Sequence, residues 1–334
     1  MIISQRQITD MMAAVRIDFM DGSSVEFLNV GATISRWVLT DGTNVVAGYQ
    51  NYNDYLEDGM YLGATIGLTA GRIANGHCVI DGITYQFTSK IANFLHGGDH
   101  GLAFVAFDNA AIEELGETAV LTYCTNYHHE WLPGVVTVTV RYTVSTNNIG
   151  IELMAETSAV TLCNLTNHSY FNLDGDFTHD LSNHRMQINA SNVLLVDKEI
   201  IGRELIPVRN TLFDFTILKP IMPTITDPIL KKQSAFGIDH WFMFDLNHNK
   251  PGLLLYSEKS QRSLAITSSY PGVTIYTTNY PAAKCVQNGK PLVMHSAIAI
   301  EPQFASNGIN DCRFHDLILR PSEKYHHFIH YRLF

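Results

Sequence analysis

The chain has 334 residues, 46% of them hydrophobic, which is enough to bury a sizeable core and excludes general disorder. It carries 22 Lys and Arg against 32 Asp and Glu, a net charge of −10, with no long basic run. Nucleic acid and anionic membrane surfaces are therefore not expected as partners, whereas a neutral small molecule is compatible with that field.

The N-terminal stretch through Phe19 lacks the basic start and apolar run of a secretory leader. No segment approaches the roughly 20 apolar residues that span a bilayer, so the cytoplasm is the expected location. Val15, Ile17 and Phe19 alternate with polar residues, Asp21-Gly22 turns the chain, and Val25 and Phe27 alternate again, which predicts a hairpin. Asp41-Gly42 separates two further apolar runs, and Asp81-Gly82 sits inside a second hairpin that ends at Phe87. Val136, Val138, Val140, Tyr142 and Val144 define one face of a long strand, and Ile149 to Glu156 returns beside it after a polar turn. Leu253 to Tyr256 and Leu264 to Thr267 flank another turn. Short helices are expected near Leu165–Asn172 and Thr226–Gln233. His326 and His330 fall in a run that reads as a final strand, sharing a face with Phe328. Many short strands with turns between them predict an all-β sandwich or barrel, as one domain over residues 1–334, since no linker or composition shift divides the chain.

The five cysteines, Cys78, Cys124, Cys163, Cys285 and Cys312, are odd in number, far apart and without a Cys-x-x-Cys pair. Reduced thiols filling core space are expected, not a disulfide framework or zinc knuckle. His128 and His129 would point to opposite faces of a strand and suit a solvated loop better than a metal site.

Several stretches could carry chemistry. Asn93-Phe94-Leu95-His96-Gly97-Gly98 sets a histidine beside glycines, where backbone can approach a ligand closely. Asn164 to Leu173 packs amides, His168 and two aromatics into ten residues, a mix suited to sugar hydroxyls and sugar C–H faces or, equally, to a turn with satisfied polar groups. Ala297 to Gln303 runs small apolar residues into Glu301, and a carboxylate at the mouth of a buried strand tends to a raised pKa and to work as a base. Gly71-Arg72-Ile73 and Gly237-Ile238-Asp239-His240 are weaker, each reading alone as an ordinary turn.

Taken in order, these stretches resemble the aldose 1-epimerases, also called galactose mutarotases. The matching segments are Tyr61 to Gly67, Gly71-Arg72-Ile73, Asp81-Gly82 with Tyr85, Leu95 to Gly98, Thr166 to Leu173, Gly237 to His240, Pro271-Gly272 with Tyr276 and Asn279, and Glu301-Pro302-Gln303. The resemblance implies a large β-sandwich with an open sugar cleft, no metal and no cofactor. It assigns Glu301 as general base, His168 as general acid and His96 as a hydrogen-bonding partner near the sugar ring oxygen. Arg72 and Asp239 match groups that hold sugar hydroxyls, and Asn93 and Tyr276 are expected with them in binding substrate. The chain departs from the family pattern at Leu68, Gly71 and Thr274, where many members carry Arg, Asn and Gln; these bear on the choice of sugar.

The expected reaction is interconversion of the α and β anomers of a free aldose such as galactose or glucose. The alternatives are a non-catalytic carbohydrate-binding protein, which would need the aromatics and amides but not the His/His/Glu set, and a hexose-6-phosphate 1-epimerase, which would need further Arg or Lys at the rim. A Ser nucleophile at Ser169 lacks the Gly-x-Ser-x-Gly elbow. Glu301 and Asp239 as a glycosidase carboxylate pair are not excluded by spacing.

Overall fold

The computed structural model describes all residues except 58, 89–92, 233–235, 246–250, 287–288 and 315–316, and side chains 231–232. Two large antiparallel sheets dominate. A nine-stranded sheet includes Thr118–Tyr127, Val136–Ser145, Asn148–Thr157, Tyr325–Leu333 and Ser263–Ser268 as successive neighbours. A six-stranded sheet runs, in spatial order, Tyr170–Phe171, Ile298–Pro302, Gly272–Tyr276, Asp239–Phe244, Ala190–Val196 and Gly202–Pro207. The largest core cluster joins Val138, Val140, Ile151 and Ile329 of the first sheet to Phe242, Val273, Ile275 and Ile300 of the second. The expected β-sandwich is therefore the fold, closed by apolar burial between sheet faces.

The predicted hairpins form. Ala13–Asp18 pairs with Ser24–Leu28, Val136–Ser145 with Asn148–Thr157, and Leu253–Ser257 with Ser263–Ser268. His77–Ile80 pairs with Ile83–Gln86 through Asp81 at φ 52° and Gly82 at φ 80°, the two left-handed residues a tight primed turn requires. Tyr325–Leu333 is the final strand, with His326 and Phe328 exposed and His330 half-buried on its outer face.

Three expectations need correction. Leu165–Asn172 is not helical: Thr166–Asn167 and Tyr170–Phe171 are short strands, held by the segments they pair with rather than by local propensity. The second expected helix forms as Pro228–Lys232, inside its expected bounds, and a separate short helix, Met222–Ile225, precedes it; Gln233 lies outside the described residues. His129 is buried against Phe87, Phe94, Tyr127 and Trp131, not in a solvated loop, and burial lowers its pKa to about 4. Of the free cysteines, Cys78 and Cys163 fill core space, whereas Cys285 and Cys312 are exposed. Among the described residues no helix is long and apolar enough to cross a membrane, which leaves membrane-crossing strands unaddressed.

Candidate active site

The alternation of the six-stranded sheet builds the site. Ile298 and Ile300, Val273 and Ile275, and Phe242 face the core, so their neighbours in sequence face the other way. The register sets those neighbours in rows. Leu194, Trp241, Thr274 and Glu301 lie directly opposite one another across four strands. The next row is Asp239, Tyr276, Ala299 and Tyr170. Both rows floor a cleft of about 200 Å³, whose walls add Tyr61, Arg72, His96 and His168 on one side and Val196, Ile200 and Gly202 on the other.

Burial is graded along the cleft. His96, His168 and Glu301 are 8%, 3% and 2% exposed at the closed end, while Tyr280 at the mouth is 50% exposed. His168 Nε2 stands 3.3 Å from Glu301 Oε1, and Glu301 Oε2 is buried with no hydrogen-bond partner among the described residues. Burial, reinforced by the charge of Asp239, holds the Glu301 carboxyl well above the usual range despite Arg72. Burial pushes His168 the opposite way, to about 4. Both shifts favour the uncharged pair, a carboxylic acid beside a neutral imidazole. The ion-pair form, Glu301 carboxylate with His168 imidazolium, contains the same number of protons, so the two forms interconvert within the pair.

His96 is held by backbone. Its N–H donates to Gly71 O at 3.1 Å, and its Nδ1 accepts from Gly71 N–H at 3.2 Å. Burial first, then the nearby His168 and Arg72, keeps this ring neutral. A neutral imidazole accepting at Nδ1 carries its proton on Nε2, so His96 is a fixed donor. Gly71 makes this possible: its φ is +77°, and a Cβ there would meet Ser306 Oγ at 2.7 Å. His96 itself sits at φ 53° and Tyr61, whose ring is 4.9 Å from it, at φ 57°, both in the left-handed region that non-glycine residues enter at a cost.

Arg72 and Asp239 are partners, Nη1 to Oδ2 at 3.4 Å. Burial raises the Asp239 pKa and Arg72 opposes that shift. The Arg72 backbone is anchored through its N–H to Ser306 Oγ at 2.7 Å and its carbonyl to Asn307 N–H at 2.7 Å. Tyr276 also lines the cleft, and its hydroxyl accepts from Tyr280 N–H. Asn93 does not line it; its amide joins Asn75 N–H to the Glu199 carbonyl across the rim.

The amide-rich run contributes less to the cleft than its composition suggested. Only His168 and Tyr170 of that run line it. Asn164 donates to the carbonyls of Ala70 and Phe304 and accepts from Phe304 N–H; Thr166 donates to Pro302 O, Asn167 to Gly63 O, and Asn172 to Ser296 O. These side chains pin backbone, as buried polar groups must. Of the departures, Leu68 packs in the core, whereas Gly71 and Thr274 line the cleft. Trp241, Tyr61, Leu194 and Val196 were not foreseen as lining residues; Trp241 follows from Asp239 by strand period.

One ligand atom from each of His96, His168 and Glu301 lies within 4.8 Å of the others, a spacing a metal ion could bridge. The donor set does not fit one well. Ligation through His96 Nε2 would need its proton on Nδ1, directed against the Gly71 N–H.

An aldose 1-epimerase family model matches residues 14–332. The chain is 32% identical to the galactose mutarotase of Homo sapiens over 311 residues, covering 91% of this chain and 89% of that protein. It is 34% identical to the aldose 1-epimerase of Haemophilus influenzae over 296 residues, covering 85% and 84%. Among solved structures, an aldose epimerase homologue from C. elegans superposes with a TM-score of 0.84 at 28% identity, covering 96% of this chain and 98% of that one. A galactose 1-epimerase from Lactobacillus acidophilus agrees in fold, with a TM-score of 0.86 at 24% identity over 99% and 98% of the two chains. With a family match over nearly its whole length and a sandwich of the same architecture, the chain belongs to the aldose 1-epimerase family.

Proposed function

We propose that the cleft interconverts the α and β anomers of a free aldose, with Glu301 and His168 moving the protons. The observation that carries this reading is the pair itself: a carboxyl and an imidazole 3.3 Å apart, both buried at the closed end of an open cleft. In its ion-pair form, Glu301 takes the proton of the C1 hydroxyl while His168 gives one to the ring oxygen, the C1–O5 bond breaks, and an open aldehyde results. Rotation about C1–C2 presents the other carbonyl face. Ring closure returns both protons, leaving the pair as it began. His96 Nε2–H supports the ring oxygen as charge develops there. Acid–base catalysis of this kind contributes about 10² to 10⁴ in rate.

Arg72 and Asp239 offer sugar hydroxyls a donor and an acceptor that already face each other. Arg72→Ala should therefore act mainly on binding, raising KM about tenfold or more with a smaller change in kcat. Steady-state kinetics that return an unchanged KM would remove Arg72 from the hydroxyl-binding set.

A pure sugar-binding protein has no use for a buried carboxyl with an unpartnered oxygen beside a histidine. A 6-phosphate substrate would call for spare cations, and among the described lining residues the only Lys or Arg is Arg72, engaged by Asp239. The five free thiols suit a reducing cytoplasm. Polarimetry of freshly dissolved α-glucose and α-galactose with catalytic protein is the test. Approach to rotational equilibrium should be faster than without protein for at least one of them. No acceleration of either would sink the reading, and acceleration confined to a 6-phosphate sugar would replace it.

A further inference from the structure

His168 lacks the hydrogen bond that aims many acid–base histidines. With Nε2 turned toward one partner, the far ring nitrogen ordinarily meets a carboxylate or a carbonyl, which fixes the ring. Here Nε2 faces Glu301, and Nδ1 is buried with no hydrogen-bond partner among the described residues. Rings pack around it, Tyr170 at 5.0 Å and His96 at 5.1 Å between centroids, but ring contacts limit tilt without fixing direction. The aim of the imidazole must then come from the main chain that carries it.

That main chain is a turn built by Asn167. Its Oδ1 accepts from the Ser169 N–H at 3.2 Å, closing an Asx turn around His168, and from the Ser169 hydroxyl at 2.6 Å. Its Nδ2 donates to the Gly63 carbonyl at 2.9 Å. A backbone N–H can only donate and a backbone carbonyl can only accept, so the carboxamide has one orientation. The Gly63 N–H donates in turn to the His168 carbonyl at 3.0 Å, and the His168 N–H to the Ala64 carbonyl at 2.9 Å.

A further donor reaches the same Asn167 oxygen from the nine-stranded sheet. Tyr331 lies in the final strand, opposite Ile149 on one side and Ile266 on the other, 164 residues along the chain from Asn167. Its buried hydroxyl donates to Asn167 Oδ1 at 3.3 Å, and its ring packs edge-on to Phe171 at 5.1 Å. Glu301 belongs to the six-stranded sheet, so this bond ties the His168 turn to the sheet across the core.

Resting on the acid–base reading of the cleft, we propose that Tyr331 is a positioning residue for the reaction: through the Asn167 carboxamide it holds the turn that aims His168 at Glu301 and at the sugar ring oxygen. Tyr331 does not line the cleft, so its influence is indirect. Loss of its hydroxyl frees the turn to shift, and small misplacements of a proton-transfer group are costly in rate.

The test is a double-mutant cycle read by polarimetry on an aldose that the wild-type protein accelerates. Tyr331→Phe removes one oxygen and keeps the ring. It should lower kcat about tenfold, with KM within about twofold of the wild type. Added to His168→Asn, the same change should alter the residual kcat by less than about twofold, because no imidazole is left to aim. Ser169→Ala deletes another donor to the same oxygen. It should show the same dependence on His168 with a loss of about threefold, and it carries the test if Tyr331→Phe folds poorly. An equal loss in both backgrounds overturns the proposal, since a loosened fold or an effect on Glu301 would not depend on His168. In an active protein, an unchanged kcat for Tyr331→Phe, or a change confined to KM, overturns this role alone. A wild-type protein that accelerates no aldose overturns the underlying reading and this role with it.

Discussion

Glu301→Gln should remove nearly all activity, a fall of about 10² to 10⁴ in kcat that corresponds to about 3–5 kcal/mol of transition-state stabilisation. The variant should nevertheless fold. A Gln amide has nearly the shape of a protonated carboxyl, so its N–H can face the imidazole across the same 3.3 Å gap. The stability consequence has a definite sign. A carboxyl whose pKa is raised by folding favours the folded state below its ordinary value and loses that advantage as pH climbs toward the raised one. Gln does not ionise. The melting temperature of Glu301→Gln should thus match the wild type at acid pH and equal or exceed it as pH rises through and beyond the usual carboxylate range. An active Glu301→Gln protein would remove the base assignment; an inactive one that also melts early at every pH would point to a structural role instead.

His168→Asn is expected to cost a comparable factor, about 10² to 10⁴ in kcat, with a smaller change in KM. Its pH profile is the more discriminating measurement. The wild-type pair works while it holds one proton. Below the His168 value of about 4, the imidazole gains a proton while Glu301 keeps its own, and no base remains. At the other end, loss of the Glu301 proton removes the acid. The kcat/KM profile of the free protein should therefore be a broad bell with its acid limb near 4. The residual activity of His168→Asn should lack that limb. Retention of an unchanged acid limb in the variant would show that another group sets it.

The strands could be read from sequence where one face is buried and the other wet. Val136–Ser145, with valines and a tyrosine inward and threonines outward, is such a case. The strand bearing Glu301 is not: all five residues of Ile298–Pro302 are buried, because the core covers one face and the cleft walls the other. Alternation is then invisible in hydrophobicity, and only the identity of Glu301 marks its face. The same holds for Thr166–Asn167 and Tyr170–Phe171, whose partners are distant in sequence, so a local reading favoured a helix that does not form. His96, His168, Arg72, Asp239, Tyr276 and Glu301 line the cleft, and Asn93 does not. The amides of Asn164, Asn167 and Asn172 look like ligand-binding groups in sequence because composition cannot say whether a carboxamide faces solvent or a neighbouring carbonyl. The apolar wall of Leu194, Val196 and Ile200 carries no chemical signature at all.

The Asn164 carboxamide touches Ala70 on one side and Phe304 on the other, stapling its own segment to two that are 94 and 140 residues from it in the chain. Each of the three carries residues of the cleft: Gly71 and Arg72 directly after Ala70, His168 four residues after Asn164, and Glu301 and Gln303 just before Phe304. The chemistry therefore has no local nucleus. Hairpins such as Val136–Ser145 with Asn148–Thr157 can close early, because little loop entropy opposes them, but the cleft needs contacts between segments 94 and 140 residues apart. A cleft assembled from such distant contacts is expected to be completed after the hairpins, late in folding.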